Sequence, residues 1–136
     1  MKNTKDSMKK LTLDALIAKK EQREANQTEY REVPVESLGG TLTIKKLPLS
    51  QMLELMDAQD ENAGMKENVE FEVELIYRCC PMFQDKKLQA AYECAEPYDV
   101  VYRVMDDDLG AIGELSTAIL DFYGMGDSVR EQLKNG

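Results

Sequence analysis

The chain contains no histidine and no tryptophan, and its 136 residues include only nine aromatics, six Tyr and three Phe. Without histidine it lacks the side chain most used as a general base near neutral pH and the commonest zinc ligand. Most hydrolase triads and zinc sites are thereby excluded. Cysteine is scarce too: Cys79, Cys80 and Cys94 are an odd number, with no Cys-x-x-Cys pair. Adjacent Cys79 and Cys80 on one helical turn are poorly placed to bridge each other, so reduced core thiols are the simplest reading. Three thiols with no fourth ligand at zinc-like spacing argue against a bound metal, and a thiol enzyme would lack its base. No cofactor is expected.

Long apolar runs are missing as well. The stretch Leu11 to Ala18 is broken by Asp14, closes on Lys19 and Lys20, and is too short to span a bilayer or to serve as a secretion signal. The expectation is a cytoplasmic protein. No repeat of fixed period and no low-complexity tract occurs. Gly39-Gly40 and Gly124-Met125-Gly126 lack the phosphate-binding fingerprint and a following Lys-Ser/Thr, and read as turn and helix-end glycines. Asp106-Asp107-Asp108 invites a calcium loop, but counted from Asp106 the glycine falls fifth and Glu114 ninth, where an EF-hand needs them sixth and twelfth. Helix capping explains these acids better.

What the chain has is charge: 32% charged residues, a formal net charge of −9, and an uneven distribution. Residues 1–23 carry seven Lys/Arg against Asp6, Asp14 and Glu21, a local +4 that leaves −13 for the remainder. An acidic body repels phosphate backbones, so nucleic acid would have to be held by the N-terminal arm alone, as in a small nucleic-acid-binding regulator. No recognition helix rich in Arg, Asn and Gln supports that alternative.

Hydrophobic residues make up 43%, enough for one modest core in a single domain of this size. Thr12 caps a helix on which Leu13, Leu16 and Ile17 share one face, while Lys19, Lys20 and Arg23 crowd its end. Glu24 to Arg31 reads as a polar linker. Val33-Pro34-Val35 and Thr41 to Ile44 alternate around Leu38-Gly39-Gly40 as a hairpin, with Pro34 on an edge strand. Pro48 opens a helix that sets Leu49, Met52, Leu53 and Met56 at i, i+3, i+4 and i+7. From Met65 to Pro81 a longer helix carries Val69, Val73, Ile76, Tyr77 and Cys80, widened by Phe71 and Leu75. Met82 to Cys94 places Leu88, Ala91 and Tyr92 at helical spacing. Pro97 opens a helix with Tyr98, Val101, Tyr102 and Met105 inward, and Leu109 to Tyr123 forms the last long one, before Asp127 caps a tail.

The fold expected is mainly α with a small β-hairpin (α+β). Residues 1–31 form a basic arm with an amphipathic helix and linker, 32–126 a helical core domain, and 127–136 a short tail helix.

The order of these segments resembles the XkdN-like phage tail assembly chaperones of contractile-tailed phages and of prophages in Gram-positive bacteria. The resemblance lies in Leu11 to Lys20, in Val35 to Ile44 with Ser37-Leu38-Gly39-Gly40-Thr41-Leu42, and in Leu47-Pro48-Leu49-Ser50 before Met52 to Asp57. Toward the other end the agreement lies mainly in the final helix, Glu114 to Gly124. The resemblance implies a non-enzymatic factor of virion morphogenesis, absent from the finished particle, that coats the tape-measure protein and brings tail-tube protein to it. A frameshift-extended form of the same product is a further partner in such systems, and a homo-oligomer is compatible with the role. The expected partner-binding residues are Leu13, Leu16, Ile17, Lys19, Lys20 and Arg23, with Met52 and Met56 as adaptable thioether contacts.

Overall fold

Alternation of branched side chains with polar ones makes the hairpin. In the computed structural model of the chain, which describes residues 8–25, 29–59 and 61–125, β1 (Tyr30–Val35) pairs antiparallel with β2 (Gly40–Lys45), in register from Tyr30 opposite Lys45 to Val35 opposite Gly40. Val33, Val35, Leu42 and Ile44 are buried on one face. On the other, the Thr41 and Thr43 hydroxyls donate to the Glu32 carboxylate at 2.9 and 2.5 Å, which holds that carboxyl below its ordinary pKa. A single 3-10 turn (Glu36–Leu38) joins the strands, closed by Gly39 at φ +70°, a conformation costly for any side chain. Pro34 sits on an edge, since among the described residues the sheet has two strands.

Helices supply the rest, as expected from a mainly α chain. The first, α1 (Leu13–Ala25), is capped by Thr12, whose Oγ1 accepts the Ala15 N–H at 3.2 Å. Pro48 precedes α2 (Leu49–Asp57). Here the structure corrects the sequence reading: Met52 and Leu55 are buried and Met56 half-buried, while Leu49 and Leu53 face solvent. Five of nine residues in α2 are large and apolar, spread over an arc of about 160° at 100° per residue, so the packing partner decides which part of that arc is covered.

The long helix α3 (Met65–Cys79) buries Phe71, Val73, Leu75, Ile76 and Cys79 and packs chiefly on the last helix. Pro81 ends it, but the segment beyond is not one helix. A 3-10 turn (Pro81–Gln84) inserts Phe83 into the core, and α4 (Lys86–Ala91) follows behind Asp85, whose carboxylate accepts the Lys87 N–H at 2.7 Å. Ala91 and Tyr92, expected inward, are exposed. The Gln84 amide donates to the Tyr77 and Arg78 carbonyls and so completes the open end of α3.

In α5 (Asp99–Val104) Val100, Val101 and the following Met105 are buried, whereas Tyr98, expected inward, lies at the surface with its ring edge-on to Tyr77, centroids 4.7 Å apart. Asp106 and Asp107 adopt left-handed φ of 55° and 54°, and Asp108 caps α6 (Leu109–Asp121) by accepting the Ala111 N–H at 3.1 Å. Capping is thus the role of Asp108. Along α6, Ile112, Leu115, Ser116, Ile119 and Leu120 are buried, but Leu109 is exposed. Past its end the Tyr123 hydroxyl donates to the Leu47 carbonyl at 2.8 Å, and Arg31 and Lys46 stand over the Phe122 ring, at 4.1 and 5.6 Å from its centroid. One core links hairpin, α2, α3, α5 and α6. The tail after Gly126, with the expected Asp127 cap, lies outside the described residues.

Candidate protein-docking surface

Thirteen residues of α1 form a helix with no buried residue. Its aliphatic stripe faces water: Leu13, Leu16 and Ile17 retain 74%, 53% and 50% of their full exposure. Met8 and Leu11, not among the expected docking residues, extend that exposed apolar segment toward the N-terminus. At i+7 from Leu13, Lys20 continues the same face, with Arg23 a turn further and Lys19 on its flank. Lys20 is 3.5 Å from Glu24 in an exposed pair, worth a few tenths of a kcal/mol at most. One face of α1 is therefore aliphatic in its first half and cationic in its second.

Six of the eight expected docking residues are collected by α1, and the remaining two are elsewhere. Met52 is wholly buried among core residues and presents no surface, and Met56 packs half-buried against the core. Met52 is corrected from a contact residue to a core residue. The methionine count alone could not separate core filling from a thioether-lined surface.

A second feature has no counterpart in the sequence reading. Between β1 and α6 lies an open groove of about 360 Å³, lined in part by Ala118 and by Val33, Val35 and Leu115, which are themselves buried in the core. Glu36, Asp108 and Glu114 stand along it. On α6, Asp108, Ala111, Glu114, Leu115 and Ala118 fall on one face by helical spacing, so this side of the groove interleaves two carboxylates with aliphatic residues. Strand and helix are some 75 residues apart in sequence, and only their packing creates the site.

Chemistry finds no purchase on the thiols. Burial, with Cys80 beside it, pushes the Cys79 thiol up to about 12, and burial also raises Cys80, so neither is a thiolate nucleophile at neutral pH. Among the described residues no three His, Cys, Asp or Glu side chains converge in a metal-binding group. Also among the described residues, no helix is long and apolar enough to cross a membrane. Comparison with protein-family models, with curated proteins and with solved structures returned no match.

Proposed function

We propose that this chain is a non-enzymatic protein-binding factor that works through α1, acting as a tail assembly chaperone on a phage tape-measure protein, in a bacterial cytoplasm. The observation that carries the reading is an amphipathic helix with its aliphatic stripe in water, joined to a body that has its own closed core. A helix of thirteen residues is marginal alone, and its stripe is completed only by docking. A tape-measure protein, long and helical with apolar seams, needs such stripes covered reversibly before it is enclosed, and the acidic body keeps the pair in solution. The partner is named on the resemblance in segment order to XkdN-like chaperones. Tail-tube protein, and a longer frameshifted form where one is made, are the further partners of the same role.

Co-expression with a tape-measure fragment tests this. The full chain should raise the soluble fraction of the fragment and co-purify with it, and Leu16→Asp should abolish both while circular dichroism stays that of the folded chain. Retention of both activities by Leu16→Asp would remove α1 from the function. The cations of α1 also suit nucleic acid, so an electrophoretic shift at low salt would favour a regulator; no shift at roughly 50 mM salt excludes it.

A further inference from the structure

We infer that the open end of the hairpin is a second docking surface, built from Arg31, Lys46 and the rings of Phe122 and Tyr123, and that it takes an acidic segment of a partner protein. It lies outside α1 and does not depend on what α1 binds.

The patch joins two distant parts of the chain. Arg31 stands in β1 and Lys46 directly follows β2, while both rings follow α6. The Arg31 guanidinium carbon is 4.1 Å from the Phe122 centroid, and the Lys46 ammonium is 5.6 Å from that centroid and 5.3 Å from that of Tyr123. Both cations are thus held in place on residues that remain exposed. Their backbone is fixed as well: the Lys46 N–H donates to the Glu29 carbonyl at 2.6 Å, and the Tyr123 hydroxyl to the Leu47 carbonyl at 2.8 Å. A ligand meeting this patch finds it already ordered, which lowers the entropy cost of binding. Lys45, exposed and opposite Tyr30 in the ladder, adds a third cation at this end of the hairpin.

What the patch lacks is an anion. Although the chain beyond residue 23 carries −13, the ion pairs among the described residues join Lys20 to Glu24, Lys66 to Glu70 and Arg78 to Glu74, and none reaches Arg31, Lys45 or Lys46. Glu32 serves the opposite face of the hairpin, where it accepts the Thr41 and Thr43 hydroxyls. Nor does the end of α6 need these cations as hydrogen-bond donors. The Ile119, Leu120 and Asp121 carbonyls already accept the N–H groups of Phe122, Tyr123, Gly124 and Met125 at 3.0 to 3.1 Å. A cation's attraction to a ring uses its charge and not its hydrogen bonds, so the Arg31 donors remain for a carboxylate, which a guanidinium takes in bidentate fashion.

Spacing and surroundings favour a peptide. Arg31 pairs with Ile44, so Lys46 is its diagonal neighbour across the ladder, about 7–8 Å away. Carboxylates on alternate residues of an extended chain share one face about 7 Å apart and meet both cations at once. Nucleic acid carries its charge along its whole length, and the acidic body, with exposed Glu29 and Asp121 close to the patch in sequence, opposes every phosphate beyond the first few.

Fluorescence anisotropy on the full chain tests this, with a fluorescein-labelled peptide of alternating glutamate and serine and a control in which glutamine replaces glutamate. Saturable binding of the glutamate peptide alone is expected at roughly 20 mM salt, weakening as salt rises because exposed charges are screened within about 10 Å at 0.1 M. Amide resonances that shift during the titration should centre on residues 30–31, 45–47 and 122–123. Arg31→Gln with Lys46→Gln should weaken binding at least tenfold. Arg31→Lys, which keeps the charge and loses the bidentate fork, should fall between that variant and the parent, so that lost affinity is separated from lost folding. Lys19→Gln, Lys20→Gln and Arg23→Gln together should change binding less than threefold, and Leu16→Asp should leave it intact whether or not α1 proves to be a docking helix. The inference is overturned by no saturable binding up to roughly 1 mM peptide, by equal binding of the glutamine peptide, or by shifts centred on α1. Loss of binding in the α1 variant with retention in the Arg31 and Lys46 variant also overturns it, as does tighter binding of duplex DNA at the same residues.

Discussion

Among the described residues α1 and α6 are both capped helices of thirteen residues, and they have opposite fates. Thr12 and Asp108 cap them in the same way, by accepting the backbone N–H three residues on. Length and capping therefore do not decide burial. In α6 apolar residues recur to the last turn and Glu114 is the sole charged residue before Asp121, so one face can be covered along its whole length. In α1 the large aliphatic residues end at Ile17, and five of the six residues from Lys19 to Glu24 are charged. Such a helix has half a stripe, enough for a reversible contact and too little for a place in the core.

The contrast breaks most sharply by truncation. Ile119→Ala in α6 should cost about 2–5 kcal/mol of unfolding free energy in urea, as buried aliphatic deletions do, and Leu16→Ala in α1 under about 0.5 kcal/mol. Equal costs would mean that α1 is part of the core in solution. Alkaline pH should act next, and only on the body. Cys79 and Tyr123 both titrate near 12 when folded, above their ordinary values of 9.0 and 10.0, because burial disfavours the charged forms. The unfolded chain therefore loses these protons first, and stability that is intact below about pH 9 should fall steadily toward pH 12, as read by denaturant midpoints. The helicity of α1, followed by site-specific amide exchange, should not follow that loss until the body unfolds.

Removing the caps should separate the helices again. Asp108→Ala should lower global stability by about 1 kcal/mol, whereas Thr12→Ala should reduce only the helicity of residues 13–25, with an unchanged unfolding midpoint. Smallest is Tyr123→Phe, which deletes the hydroxyl bond to Leu47 and should cost about 1 kcal/mol or less. A larger loss would show that this contact fixes the end of α6 against the hairpin more firmly than one hydrogen bond accounts for.

Much of this was legible in residue order, where local chemistry and tertiary outcome agree. Val33, Val35, Leu42 and Ile44 alternate about Gly39-Gly40, and the structure buries all four on one face. Both caps were readable for the same reason, being contacts three residues long. The arc of α2 was not, because Leu49, Met52, Leu53, Leu55 and Met56 form one broad apolar arc and only the neighbours choose its Met52 and Leu55 edge. Met82 to Cys94 misled because helical spacing continues through a break set by the Asp85 side chain, and Phe83, the residue that enters the core, lies before it. Of the candidate site, the face of α1 could be read because it is confined to one element. The groove could not, since no local pattern brings Glu36 to Asp108.

The Tyr123 bond to Leu47 joins residues 76 positions apart. During synthesis the hairpin leaves the ribosome long before α6 exists, with Val33, Val35, Leu42 and Ile44 still lacking the helix that helps cover them. The nascent chain must therefore carry an uncovered β-hairpin until Leu109–Asp121 emerges. Any premature stop before that helix releases a two-stranded hairpin with a bare valine face, a substrate for proteolysis rather than a shorter working protein.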